Sequence, residues 1–388
     1  MLFALLGLGL FGLLTSTVFA GMVLAGTWRH LRERESSPQN FAPQMSLLKP
    51  LHGDEPGLEA NLATFFEQDY PDSAFELLFC TREERDAGLQ IARRVASRYP
   101  QIQARFLWTN GEPPYINAKV ASLEKMVGEA AHEILVISDS DVRVTPDYLR
   151  AVAAPFADPQ TGAMTCLYRG VAAEGGLWAR LEAVGMSVEM TAGVLVANML
   201  EGMQFVLGPT MAVRRECVTA MGGVGVFGDY CSDDYILGNE VFKLGRRVVL
   251  SHHTIDHMII NSSFVDSLKH QVRWMKSTRF SRPKGHFGTA LTFSMPFGLL
   301  ALAAALALGK PLLGVSLFGW SVFTRWAIAW AAGRKVVRDP DLFGLFVLYP
   351  IRDLMGFGFW AASYLSSEIL WRGKVYTLLP GGRMRAVR

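Results

Sequence analysis

Charge is scarce in this chain. Asp, Glu, Lys and Arg together make up 19% of its 388 residues, against roughly 25% in an ordinary soluble protein. The net charge is only +3, and no basic run is interleaved with aromatics, so nothing points to nucleic acid as a partner. Four cysteines occur, Cys80, Cys166, Cys217 and Cys231. None stands at paired metal-ligand spacing, which excludes a cysteine-built metal site, and a cytosolic domain would keep them reduced as small buried hydrophobes. The N-terminus also lacks a basic residue ahead of its apolar run, which argues against a cleaved signal peptide.

Apolar residues are what the chain has in abundance, half of the total, concentrated at its two ends. Leu2 to Trp28 carries no charge and is long enough to cross a hydrocarbon core of about 30 Å as a helix. Arg29, His30, Arg32 and Arg34 follow, so the positive-inside rule places the next segment in the cytoplasm. Basic residues beside apolar segments point to anionic lipid headgroups. The length gives ample core for one large domain or two ordinary ones. The expected organisation is an anchor at 1–28, a linker at 29–44, a catalytic-size domain at 45–260, an interfacial amphipathic helix at 261–288, a C-terminal membrane region at 289–371 and a basic tail at 372–388.

From Met45 to about Ser251, short apolar runs alternate with longer amphipathic stretches, the pattern of an α/β domain with a mainly parallel sheet. Strands are expected at Met45 to Lys49, Phe75 to Thr81, Ile102 to Trp108, Glu133 to Ser138 and Ala163 to Leu167. Helices are expected at Gly57 to Gln68, Glu83 to Tyr99, Ala118 to Ala131, Pro146 to Phe156 and Tyr235 to Leu244. Leu177 to Leu200 is interrupted by Arg180, Glu182 and Glu189 and reads as a buried or membrane-surface helix. Phe264 to Arg282 suits an interfacial helix. Thr289 to Gly309 and Leu312 to Gly333 read as two spans, with Arg325 facing protein or water. Leu342 to Trp371 contains Pro350 and Arg352-Asp353. A broken or re-entrant pair of helices there would return the tail, with Arg372, Lys374, Arg383, Arg385 and Arg388, to the cytoplasmic side.

Three acidic clusters fall in order between these spans: Gly53-Asp54-Glu55, Asp139-Ser140-Asp141 and Asp233-Asp234. Ligands of open α/β sheets bind beyond the carboxyl ends of strands, where Glu55 and Asp139 are expected. Alternate residues of an extended segment project to one side, so Asp139 and Asp141 can meet one divalent cation. Mg²⁺ or Mn²⁺ needs only one or two protein carboxylates when a diphosphate supplies the other oxygens. Asp233 and Asp234 precede a helix, where one could cap and the other act as a general base if its pKa is lifted. Lys119 is placed to reach a phosphate or to remain solvated. His252, His253 and His257 read as strand-end or loop histidines. His270 to Trp274 offers an arginine, Arg273, for phosphate and a tryptophan face for a sugar or lipid edge.

Taken together, the chain resembles the ceramide glucosyltransferase family, membrane members of the GT-A inverting glycosyltransferases (family 21/2 type) whose hallmark is D, D, D and (Q/R)xxRW. The residues that carry the resemblance are Leu48-Lys49-Pro50-Leu51-His52-Gly53, Asn61-Leu62 with Phe65-Phe66, Asp69-Tyr70-Pro71, Asn117-Ala118-Lys119, Ser138-Asp139-Ser140, Asp233-Asp234-Tyr235, Arg273-Trp274 and Trp371-Arg372-Gly373-Lys374. The resemblance implies a Rossmann-like GT-A domain facing the cytoplasm of a bacterial inner membrane, held by N-terminal and C-terminal transmembrane helices. It implies Asp139 at the metal and diphosphate with Asp141 beside it, Asp234 as catalytic base, and Arg273 and Trp274 at the donor pocket. Glu55 stands at the family's first aspartate position with Asp54 one residue early, and His270 occupies the Gln/Arg place. The implied substrates are a UDP-sugar, UDP-glucose first, and a membrane lipid such as ceramide. Leu167-Tyr168-Arg169-Gly170 and Gly176 to Leu181 also resemble hopanoid-biosynthesis glycosyltransferases that use N-acetylglucosamine. A processive polysaccharide synthase and a non-catalytic scaffold or lipid transporter remain the rival readings.

Overall fold

Leu47, Leu48, Leu77, Leu78, Leu135 and Val136 are all almost fully buried, because the strands that carry them are covered on both faces. Such strands read as continuous apolar runs. The computed structural model describes residues 1–33, 41–172, 176–259, 263–371 and 373–387. Arg34, Arg372 and Arg388, counted above among the flanking basic residues, lie outside the described residues, as does the expected boundary at 260/261.

Eight strands form the main sheet: Met45–Pro50 (β1), Phe75–Thr81 (β2), Gln103–Trp108 (β3), Ile134–Ile137 (β4), Val142–Arg143 (β5), Thr161–Ala172 (β6), Met211–Arg214 (β7) and Arg247–Ile259 (β8). Their order is β3-β2-β1-β4-β7-β6-β8-β5. The first four are parallel neighbours. β7 then runs antiparallel to both β4 and β6, β6 pairs parallel with β8, and β5 is antiparallel to β8. The expected mainly parallel sheet is therefore a mixed one. The chain moves outward from β1 to β3 and then returns to place β4 on the other side of β1. That switch leaves a crevice beyond the carboxyl ends of β1 and β4, where ligands of such sheets bind.

Several expected helices are shorter than drawn. Helix Leu58–Ala63 replaces Gly57 to Gln68, and helix Ala87–Ala96 begins at Asp86, whose side chain accepts from the Gly88 amide. Helix Asp233–Lys243 starts earlier than expected and takes both aspartates into its first turn. The acidic pair at a helix N-terminus is favoured by the helix dipole.

Among the described residues, three helices are long and apolar enough to cross a bilayer: Leu2–Arg32, Leu177–Glu201 and Pro311–Val336. In the middle one, 61% of the most apolar stretch is covered by protein, against 28% and 33% in the other two, so it forms the floor between sheet and membrane. The span expected at Thr289 to Gly309 is a 13-residue helix, Met295–Ala307. At 1.5 Å per residue it reaches about 20 Å, short of the ~30 Å core. It packs between Leu2–Arg32 and Pro311–Val336. Gly9 and Gly12 let the helices touch: a Cβ at Gly12 would lie 2.0 Å from the Phe297 ring, and one at Gly9 2.9 Å from the Ala301 Cβ. Small residues at membrane helix contacts serve this purpose.

Arg325 is buried and pairs with Asp353 at 2.7 Å. Asp353 also accepts the Ser294 and Met295 amides at the start of helix Met295–Ala307. Arg352 turns instead to Glu189 and Gln271, so the adjacent pair 352–353 is satisfied by neighbouring helices. Pro350 lies inside a continuing helical run, directly after the π-helical turn Gly344–Leu348 and within helix Tyr349–Ala362; that wider turn accommodates a residue with no amide to give. The helical run is tied at its beginning by Asp341 to Arg180 and at its end by the Ser363 carbonyl to Arg279. Both anchor points belong to the layer beneath the catalytic domain. The chain closes with a small antiparallel sheet, Glu368–Trp371 (β9), Lys374–Leu378 (β10) and Met384–Ala386 (β11). Met384 donates to the Asp229 carbonyl at 2.7 Å, placing the tail against the catalytic domain.

The close helix contact is testable. Gly12→Ala is expected to destabilise the detergent-solubilised protein by about 1–3 kcal/mol through overpacking, read as a lower thermal unfolding midpoint. Gly7→Ala, with nothing within 4 Å of its Cβ, is the control expected to leave the midpoint unchanged.

Candidate active site

Asp139 leaves the carboxyl end of β4 and Asp141 precedes β5, so the acidic motif bridges the parallel and antiparallel parts of the sheet. β5 pairs with β8, with Val142 opposite His257. This brings Asp141 Oδ2 to 3.3 Å from His257 Nε2. Burial works against a charged imidazole here, but Asp141 and Asp139 outweigh it and hold His257 above its ordinary pKa. Burial likewise opposes ionised Asp141, and His257 and Lys49 outweigh it, keeping that carboxyl below its usual range.

Lys119 stands in the first turn of helix Ala118–Glu129, whose N-cap Asn117 accepts the Lys119 amide. Its ammonium lies 2.7 Å from Asp139 Oδ1 and 3.1 Å from Asp233 Oδ2. Burial disfavours the charge, yet these two carboxylates more than compensate and push the lysine up. Asp139 is raised, by burial first and by Asp141 and Asp233 after it, against the pull of Lys119. On the far side, buried Lys49 of β1 donates to the Asp139 carbonyl at 2.5 Å and the Ser138 hydroxyl at 3.3 Å. Its ammonium sits 3.7 Å from the Phe65 ring centre. Burial lowers it to about 7 despite Asp139, Asp141 and Glu55 nearby.

Ser232 is the N-cap of helix Asp233–Lys243, so neither aspartate fills that position. Asp233 faces Lys119. Asp234 accepts the Tyr235 amide at 2.7 Å and the Gly208 amide at 3.1 Å. A Cβ at Gly208 would be 3.4 Å from Asp139 Oδ2 and 3.6 Å from Asp234 Oδ2, so the two carboxylates converge on one bare stretch of backbone. Burial, followed by the charge of Asp233, raises Asp234 to about 6. A buried acid with that pKa is suited to accept a proton near neutrality.

Two cavities lie beside these residues; Lys119, Asp139 and Asp141 line the polar one, and Asp233 and Asp234 line neither. The polar one, 910 Å³, is lined by Glu55, Lys119, Asp139, Ser140 and Asp141, with Lys374 and Tyr376 from the C-terminal sheet as an outer wall. Glu55 accepts a hydrogen bond from the Ser140 hydroxyl, and burial raises its pKa. Asp54 is exposed and does not line the cleft. The apolar cavity, 560 Å³, runs between the catalytic domain and the membrane helices and is lined by Phe19, Met22, Tyr168, Met186, Leu200 and Trp274, among others. Tyr168, on the wall of the apolar cavity, has its ring 5.4 Å from that of His257 and its phenol close enough to feel Asp234, Asp139 and Asp141.

The structure does not bring the HxxRW motif to the polar cleft. Trp274 lines the apolar cavity and lies against His270, ring centres 4.2 Å apart and planes tilted by 52°. His270 pairs with buried Glu182 at 2.7 Å. Arg273 points toward the C-terminal sheet, 5.9 Å from the Trp371 ring. Lys49, His257 and Tyr168 had no assigned role in the sequence. A lysine inside an apolar strand, Leu47-Leu48-Lys49, was the one local signal available, whereas His257 reaches Asp141 only through sheet pairing.

Among the described residues, no three His, Cys, Asp or Glu side chains are grouped to hold a metal by themselves. Asp139 and Asp141 supply hard oxygens, and Asp141 Oδ1 is buried without a hydrogen-bond partner. The lining of the polar cleft carries three cations, Arg82, Lys119 and Lys374, against five carboxylates. Its charge is therefore −2 before any diphosphate enters. This donor set fits Mg²⁺ or Mn²⁺ completed by diphosphate oxygens.

A mixed sheet with acidic residues at its parallel switch, opening on a nucleotide-sized cleft, defines a GT-A glycosyltransferase. The chain belongs to glycosyl transferase family 21, whose sequence profile matches residues 9–384. Two Caenorhabditis elegans proteins are similar along most of their length. Ceramide glucosyltransferase 1 is 25% identical over 352 residues, covering 90% of this chain and 74% of that protein. Ceramide glucosyltransferase 3 is 24% identical over 351 residues, covering 88% and 74%. Among solved structures, the mannosyltransferase PcManGT from Pyrobaculum calidifontis, in complex with GDP-Man and Mn²⁺, superposes with a TM-score of 0.57 at 18% identity. The match covers 90% of this chain and 98% of that one, and it supports the fold. Family membership decides for an enzyme over a scaffold or transporter, and the spanning helices make it a membrane protein.

The placement of Glu55 and Asp54 predicts a difference between neighbours. Glu55→Ala is expected to weaken UDP binding about tenfold, equivalent to 1.4 kcal/mol, by calorimetry. Asp54→Ala is expected to leave it unchanged, and the reverse pattern would reassign the donor contact to Asp54.

Proposed function

We propose that the protein transfers one hexose, from UDP-glucose first among donors, to the primary hydroxyl of a membrane lipid of the ceramide type, with inversion, at the cytoplasmic face of a bacterial inner membrane. The observation that carries this reading is a polar cleft with Asp139 and Asp141 on its wall and an apolar cavity against the membrane helices with Tyr168 on its wall, while Asp234 and Asp139 face each other across Gly208. A lipid cannot leave the bilayer cheaply, at about 0.8 kcal/mol per CH₂ exposed to water, so its hydroxyl has to be reached at the membrane surface. The cavity between the membrane helices offers that route. The names of the C. elegans relatives support the acceptor class.

In this scheme the UDP moiety lies in the polar cleft, with Glu55 at the nucleoside side and Lys374 and Tyr376 closing it from the C-terminal sheet. Asp234 takes the proton of the acceptor hydroxyl as its oxygen attacks the anomeric carbon opposite the departing diphosphate. Lys119 holds Asp139 and Asp233 at fixed positions and keeps a positive charge beside the leaving group. Divalent cation bound by Asp139 and Asp141 would neutralise charge on that diphosphate as a Lewis acid. His257 fixes the rotamer of Asp141 from behind. Trp274 belongs to the acceptor side, where it presents an apolar face to the lipid. A second reading, N-acetylglucosamine transfer to a hopanoid polyol, keeps support from Tyr168, which belongs to the segment resembling that sub-branch and borders the acceptor cavity.

UDP release by protein in lipid nanodiscs, with UDP-glucose or UDP-N-acetylglucosamine offered against ceramide or bacteriohopanetetrol, tests the reading. Release stimulated by ceramide with UDP-glucose is expected. Stimulation only by the polyol would move the acceptor to the second reading, and none in any combination would sink both. Asp234→Asn is expected to lower kcat by about 10²–10⁴-fold, the usual contribution of a general base, with UDP affinity unchanged. Because the ionised form is the active one, kcat/KM should rise with pH through about 6, the value to which burial lifts Asp234. Chelation by EDTA is expected to weaken UDP-sugar binding and abolish transfer, with Mg²⁺ or Mn²⁺ restoring both.

A further inference from the structure

Arg325 and Arg352 stand on the wall of the apolar cavity, together with Glu189, Gln271 and Asp353. Charged groups are rare on such a surface and are kept where they have a task. Arg325 is 1% exposed and Arg352 4%. Arg325 spends Nη1 on Asp353 Oδ1 and on the Thr292 carbonyl, at 2.7 and 3.0 Å. Arg352 spends Nη2 on Gln271 Oε1 at 3.0 Å and lies 3.1 Å from Glu189. The Nε and Nη2 of Arg325 and the Nε and Nη1 of Arg352 have no hydrogen-bond partner among the described residues. Of the buried side-chain atoms without a hydrogen-bond partner among the described residues, these four guanidinium nitrogens are gathered on one cavity wall, where the Tyr349 phenol stands beside Arg325 and leaves Nε and Nη1 of Arg352 as the open donors.

The arrangement is also built to hold its shape. A Cβ at Gly185 would lie 2.5 Å from Arg352 Nε, and one at Gly356 3.0 Å from Arg352 Nη1. The guanidinium is thus wedged between two glycines on different helices. Charge restricts what the free donors can take. Two guanidiniums stand against the carboxylates of Asp353 and Glu189, so the set is neutral when all four are ionised. An anion would leave a charge uncompensated among apolar walls, whereas a neutral oxygen with lone pairs matches donors alone.

We propose that Arg325 and Arg352 form a subsite for an uncharged acceptor oxygen, an amide carbonyl or a hydroxyl, carried by the lipid at a position other than the one glycosylated. The proposal rests on the reading of the apolar cavity as the acceptor site. It makes the enzyme selective for lipids with several oxygens over plain long-chain alcohols, because only the former pair the free guanidinium donors.

The test compares kcat/KM in nanodiscs with UDP-glucose for three acceptors: N-octanoylsphingosine, a long-chain vicinal diol and stearyl alcohol. The wild-type protein is expected to favour N-octanoylsphingosine over stearyl alcohol by at least tenfold. Preference shared by the diol assigns a hydroxyl, and preference confined to N-octanoylsphingosine assigns the carbonyl. The double variant Arg352→Met/Glu189→Gln removes both charges together, so no lone carboxylate is left behind. It is expected to collapse the preference while retaining transfer to stearyl alcohol. Equal kcat/KM for all three acceptors in the wild type overturns the subsite, as does a variant that slows all three by the same factor. No transfer to any acceptor, with UDP-glucose still bound, overturns the lipid-acceptor reading and the subsite with it.

Discussion

One apolar core runs without interruption from the sheet into the membrane helices, and the position of every catalytic group follows from it. Leu48, Leu135 and Ile137 of the sheet share a buried cluster with Ala20 and Val23 of the first helix, Val188 and Leu195 of the floor helix, and Ile328 and Ala329 of the returning helix. A domain on a flexible tether would wander relative to the bilayer. Here the sheet cannot tilt or rise without opening that core, so the carboxyl ends of β1 and β4 stay at a fixed height above the lipid. Gly26, whose Cβ would lie 3.1 Å from the Leu195 carbonyl, tightens the same contact at the point where the first helix meets the floor.

Within that frame, the site is governed by crowded negative charge. Asp139, Asp141, Asp233 and Asp234 come from three elements and would repel one another if left alone. Lys119 joins Asp139 to Asp233 and His257 takes Asp141, while Asp234 keeps only amide donors. Burial lifts Asp234 to about 6 and raises Asp139 even against the pull of Lys119, whereas His257 and Lys49 outweigh burial at Asp141 and hold it below its usual range. Under the proposed function, the division between a proton-accepting acid and metal-facing acids would turn on Asp234 meeting only amide donors while Asp139 and Asp141 each have a cation beside them.

The sequence carried much of this, unevenly. Strands β1, β2 and β4 were legible because burial on both faces makes them continuous apolar runs. β8 was hidden because Ser251, His252, His253, Thr254, Asp256 and His257 give it a polar appearance. Their partners come from separate elements: His257 meets Asp141, Asp256 pairs with Arg169, and His252 stacks on His30 of the first helix. β7 is as short as β4, four residues, but its Met-Ala-Val-Arg lacks the unbroken branched apolar run of Ile-Leu-Val-Ile that marks β4. The acidic motifs were visible as types and spacings, while their partners were not: Lys119, Lys49 and His257 meet the carboxylates only through tertiary contacts. The placement of Trp274 also needed the fold, since a motif on an amphipathic helix does not reveal which of two cavities its tryptophan faces.

The C-terminal sheet has a consequence for biogenesis. Its strands supply the outer wall of the polar cleft, and they leave the ribosome after the hairpin of Met295–Ala307 and Pro311–Val336. The cleft is thus completed only once the helices that precede this sheet have been synthesised, and a nascent chain still awaiting insertion presents an unfinished nucleotide site. Order of synthesis alone then ties completion of the cleft to the presence of the membrane helices.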